Sequence, residues 1–70
     1  MSDEILKTIS DRELMVLALV ARGYNSQQIG EALTITKATV QTHRRNMLRK
    51  TGFINTQQMV GWGYREGLLR

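Results

Sequence analysis

One local device occurs at four points of this 70-residue chain, and it constrains the fold more than anything else in the sequence. Ser10, Asn25 and Asn55 are each followed three positions later by Glu13, Gln28 or Gln58. In such a pair the first side chain accepts a free N–H of a helix's opening turn, while Glu or Gln reaches back to the cap's own N–H. Thr36 is a fourth cap of good type, without the returning partner. Just before each cap stands an apolar residue, with a second one five positions on: Ile9 and Leu14, Tyr24 and Ile29, Ile35 and Val40, Ile54 and Met59. That spacing is the hydrophobic staple. A single instance is weak, but four in register predict four helix starts.

The stops agree. Gly23, Gly52 and Gly67 follow periodic segments where a left-handed residue ends a helix. The predicted helices cover residues 11–22, 26–33, 37–51 and 56–66. Leu14, Leu17, Ala18 and Ala21 form the expected inner stripe of the first, and Ile29, Ala32 and Leu33 that of the second. No strand signal, repeat or low-complexity tract competes. Only Thr34-Ile35-Thr36 separates the second helix from the third. The expected fold is therefore all-α, a four-helix domain with a central helix-turn-helix. Residues 9–70 form the domain and residues 1–8 a lead-in or linker.

Composition removes several classes of function. Without Cys there is no disulfide framework, thiolate metal site or Cys nucleophile, and His43 as the sole histidine excludes a multi-His metal site. No paired carboxylates face a pocket and no glycine-rich phosphate loop is present. Neither an enzyme, a cofactor nor a small-molecule substrate is expected. Glu13 is assigned to its cap, with an arginine as its expected partner. No apolar run approaches the roughly 18 residues of a membrane span. The opening Met1-Ser2-Asp3-Glu4 is acidic where a signal peptide is basic, so a cytoplasmic location is expected. The chain is either an excised domain or a stand-alone protein.

The net charge of +4 is unevenly placed. Between residues 37 and 50 lie Lys37, Arg44, Arg45, Arg49 and Lys50 with no acid, a local +5 that leaves −1 for the rest. Such a stretch is either a solvated helix face or a footprint for a polyanion. Helical geometry at about 100° per residue places Val40 and Met47 inward. Gln41, Thr42, Arg45 and Arg49 fall on the opposite side, with the small Ala38 between them. These groups suit the major groove: Arg pairs with guanine, Gln with adenine, and the Thr methyl touches thymine. Lys37, Thr39, His43, Arg44 and Lys50 flank that face and suit phosphates, and the Arg44 stem packs toward the apolar stripe. At the start of the second helix, Asn25, Ser26 and Gln27 surround a set of free N–H groups. They are expected to hold a phosphate as well as to cap.

The run Ile9-Ser10-Asp11-Arg12-Glu13, Gln28-Ile29-Gly30-Glu31-Ala32-Leu33, Thr39-Val40-Gln41-Thr42-His43 and Leu48-Arg49-Lys50-Thr51-Gly52 resembles the LuxR-type (GerE-type) helix-turn-helix domain. The match extends from about residue 8 to the C-terminus. That family is a four-helix DNA-binding domain, commonly the output module of bacterial transcription regulators. The resemblance implies sequence-specific binding of double-stranded DNA, with residues 37–51 as the recognition helix. It makes Gln41, Thr42 and Arg45 the base-reading positions, and Thr39, His43, Arg44, Arg49, Lys50 and the start of helix two backbone contacts. Helix four becomes the surface of a homodimer on DNA, with Met59, Trp62 and Gly63 at the interface, and RNA polymerase a further partner. Alternatives are a sigma-factor-like promoter-reading region, or an oligomerisation module on the same fold that does not bind DNA. Departures from the family pattern are Asp11 for Pro, Gln27 and Gln41 for Lys, and Thr51 for Leu. Gly61 and Gly63 within helix four either permit close helix approach or fray it.

Overall fold

The computed structural model describes residues 7–70; the remainder of the expected lead-in, residues 1–6, lies outside the described residues. Four helices follow Ser10: α1 Asp11–Ala21, α2 Ser26–Leu33, α3 Lys37–Thr51 and α4 Thr56–Arg65. There is no strand among the described residues. All four expected caps are in place, since Ser10, Asn25, Thr36 and Asn55 each accept the backbone N–H three residues on. Ser10 with Glu13 and Asn25 with Gln28 complete the reciprocal box. The third expected box closes differently. Gln58 Oε1 accepts from Ile54 N at 3.0 Å, one residue before the cap.

The turn between α2 and α3 is tighter than its sequence suggests. Thr34 adopts φ 59°, ψ 44°, a left-handed conformation that is unusual for a β-branched residue. Its N–H closes α2, and Ile35 N returns to Gly30 O at 2.9 Å. Gly30 makes this geometry possible: a Cβ there would lie 2.7 Å from the Ile35 carbonyl oxygen. The chain thus reverses across a bare backbone, which sets the angle between the two helices.

The core draws on every helix: Val16 and Leu17, Ile29, Val40 and Met47, Met59 and Trp62, with Leu69 from the C-terminal segment. The Phe53 ring meets Trp62 at 5.9 Å between centroids. Three packing expectations need correction. The inner stripe of α1 is Glu13, Val16 and Leu17, with Leu14 only half-buried. The apolar template passed over the polar Glu13, whose carboxylate is tied inward. Ala32 is exposed, because the inner side of so short a helix is filled by Ile29. Ile54 is 83% exposed and forms no buried staple with Met59.

Helix α4 ends at Arg65, and the chain then folds back, with Leu68 and Leu69 both donating N–H to Gly63 O. A Cβ on Gly63 would come within 3.0 Å of the Leu69 side chain, so this glycine allows close approach rather than fraying. The neighbour it admits is the chain's own terminus. Gly61 faces nothing closer than the Arg65 guanidinium. Thr51, standing where the family has Leu, bonds Met47 O at 2.8 Å and makes a longer contact with Met59 Sδ.

Candidate nucleic-acid interface

Helix α3 has two differently employed sides. Val40 and Met47 face the core at full burial, which turns Gln41, Thr42 and Arg45 into solvent. Neither Gln41 nor Arg45 has a side-chain hydrogen bond among the described residues. Thr42 Oγ1 donates to Ala38 O at 3.1 Å, which leaves its methyl and its lone pairs for the outside. The three residues expected to read bases therefore share one exposed face.

The flanking residues separate into groups. Lys37 and Arg49 are exposed and His43 is half-buried. Thr39 is tied to the cap, its hydroxyl 2.9 Å from that of Thr36. At the start of α2, Asn25 Oδ1 caps the helix while Gln27 points outward unbonded among the described residues. Asn25, Ser26, Gln27, Lys37, Gln41 and Arg44 line one small cleft of about 300 Å³, so helix start and recognition face form a continuous surface.

Arg44 and Lys50 are engaged inside the molecule. Arg44 donates to Ser26 Oγ at 2.9 Å and to Thr56 Oγ1 at 3.2 Å. Ser26 and Thr56 are the first residues of α2 and α4, so one guanidinium clasps two helix N-termini to α3. Because a helix N-terminus carries partial positive charge, three positive contributions converge there, and an anion beside them is favoured. Lys50 Nζ donates to Glu13 Oε1 and to Thr8 O, each at 2.7 Å. The expected arginine partner of Glu13 is thus a lysine from the far end of α3. Burial pushes the Glu13 carboxyl pKa up, but the Lys50 hydrogen bond and charge, with the Ser10 bonds, hold it below its ordinary value. Neither Thr56 nor the Thr8 carbonyl was foreseeable, for each meets its partner only through the tertiary fold.

The residues expected at a dimer interface lie inward in this chain. Met59 is 0% and Trp62 1% exposed, and Gly63 is covered by Leu69, so all three are buried within the chain's own fold. What α4 turns outward is Tyr64, half exposed, beside Val60 and Gly61. Apolar residues on several sides of a short helix do not reveal which side is inside.

A short helix clasped behind a basic, outward-facing helix defines a four-helix helix-turn-helix domain. Residues 7–62 match the family described as bacterial regulatory proteins, luxR family, and the chain belongs to it. Among its relatives are response regulator proteins VraR of Staphylococcus aureus strain NCTC 8325, Staphylococcus epidermidis and Staphylococcus saprophyticus. Each is 34% identical over 67 residues, covering 96% of this chain and 32% of the relative. The chain thus spans about a third of the length of these relatives. No helix among the described residues is long and apolar enough to cross a membrane.

Proposed function

We propose that the domain is the output module of a bacterial transcription regulator and binds double-stranded DNA sequence-specifically without catalysing a reaction. The observation that carries this is the exposed face of Gln41, Thr42 and Arg45 on a helix otherwise fixed to the core. In the bound state α3 enters the major groove, and Arg45 pairs with a guanine, Gln41 with an adenine. Lys37, Arg49 and the start of α2 around Asn25 and Gln27 meet phosphates, and Ser26 contributes through its clasp to Arg44. Two copies pair on a pseudo-palindrome through the outward side of α4, at Val60 and Tyr64. The cytoplasm and RNA polymerase are the corresponding location and partner.

The test is selection from random duplexes followed by titration on the selected site. Affinity falls steeply with salt, because phosphate contacts release counterions. Arg45→Ala costs roughly 1–3 kcal/mol on the selected site and flattens base preference at one position. Self-association in sedimentation, with no duplex bound even at low salt, overturns the proposal in favour of an oligomerisation module.

A further inference from the structure

Among the large apolar side chains outside the core, Ile54 is set apart by its exposure. It is 83% exposed, against 47% for Met15, 40% for Tyr24 and 50% for Tyr64. It lies in the short connection between α3 and α4, and its backbone is held in place. Its N–H donates to Gln58 Oε1 at 3.0 Å, and the next residue, Asn55, caps α4. The side chain is thus presented from a fixed position, and its burial adds little to the fold.

Its surroundings indicate what it meets. Ile54 lines a cleft of about 540 Å³ whose walls include Gln41, Arg45, Arg44 and Ser26. On one side of this cleft stand the amide and guanidinium of the recognition face. On another stands the Arg44 clasp between two helix N-termini, where positive charge is concentrated. A duplex offers the complementary sequence of surfaces: phosphates, the apolar carbons of deoxyribose between them, and thymine methyls in the major groove. A free apolar partner such as a hydrophobic peptide does not match a cleft with two arginines on its wall.

We propose that Ile54 is a DNA contact supplied from outside the helix-turn-helix. It rests on the apolar surface of the duplex, deoxyribose carbons or a thymine methyl, beside the base pairs faced by Gln41 and Arg45. This inference rests on the DNA-binding function proposed above and adds a residue that the recognition helix does not contain.

The experiment is an anisotropy titration of the domain and its Ile54→Ala variant on the selected duplex, repeated across a series of salt concentrations. Loss of three carbons from an apolar contact predicts about three- to tenfold weaker binding. The slope of log affinity against log salt stays the same, because no counterion-releasing charge is removed. Lys37→Ala, by contrast, lowers the slope by about one. Thermal melting of Ile54→Ala matches the parent, so weaker binding does not reflect unfolding. Replacing flanking thymines by deoxyuridine separates the two apolar sources. If the parent weakens to the level of the variant, the methyl is the contact; if only the variant is weak, the sugar is. Equal affinity of parent and variant, or a changed salt slope for Ile54→Ala, overturns the inference while leaving DNA binding intact. A parent domain that binds no duplex overturns the functional proposal itself.

Discussion

The two halves of α3 carry similar side chains and use them differently. In the front half, from Lys37 to Arg45, the outward groups Lys37, Gln41 and Arg45 have no partner among the described residues. In the rear half, Met47 is fully buried, Lys50 is bound to Glu13 and the Thr8 carbonyl, and Thr51 is bonded to its own helix and to Met59. Arg44 sits at the junction, holding two other helices to this one. Of the five cations that make the helix basic, Arg44 and Lys50 therefore serve the fold first. Among the described residues only Lys50 of these is neutralised by a carboxylate, so charge counted along the sequence overstates by that one pair the charge a ligand meets, while Arg44 keeps its own.

The difference between the halves can be tested by substitution. Met47→Ala empties a core position and should cost about 2–5 kcal/mol in denaturant unfolding, through lost burial and a residual cavity. A loss below about 1 kcal/mol would show the rear half to be less anchored than its burial implies. Next comes Lys50→Met, which leaves the Glu13 carboxylate, 4% exposed, without its cation. Loss of one partner of a buried pair costs about 3–5 kcal/mol, and the 35% exposure of Lys50 reduces the expectation to about 1–3. In the front half, Arg45→Ala should change unfolding free energy by no more than about 0.5 kcal/mol. Equal effects of Arg45→Ala and Lys50→Met on melting would abolish the distinction.

The smallest effect concerns acid. Since the folded pKa of Glu13 is held below its ordinary value of 4.5, its ionised form favours the native state. That contribution is complete above the unfolded value and is lost as pH falls through the lower folded value. Unfolding midpoints of the parent and Glu13→Gln should therefore differ at neutral pH and converge as pH falls through the lowered folded value. A gap that persists unchanged in acid would mean that the pair contributes through packing alone.

What could be foreseen was local. Caps lie within four residues of their targets, so the motif at Ser10 and Glu13 specifies its own geometry. The outward direction of Gln41, Thr42 and Arg45 follows from helical angles alone once Val40 and Met47 are inside. Contacts across the chain were not legible in this way. The Lys50–Glu13 pair spans 37 residues and the Arg44–Ser26 bond 18, and no periodicity encodes either. The inner side of α4 was equally hidden, because what covers Gly63 is a leucine beyond the helix's end. The left-handed Thr34 had no signal at all, since threonine gives no local reason to adopt it.

The return of the chain over Gly63 also bears on where this domain ends. The family match stops at residue 62, yet the packing runs to Leu69, which lies against Gly63 and is 7% exposed. A fragment cut at the limit of the match would keep every aligned position and the full recognition face. It would also remove Leu69 from the buried cluster that contains Trp62 and Leu17, baring apolar surface that invites aggregation. The packing of this domain runs at least as far as Leu69, and truncations made on the near side of that leucine cut into it.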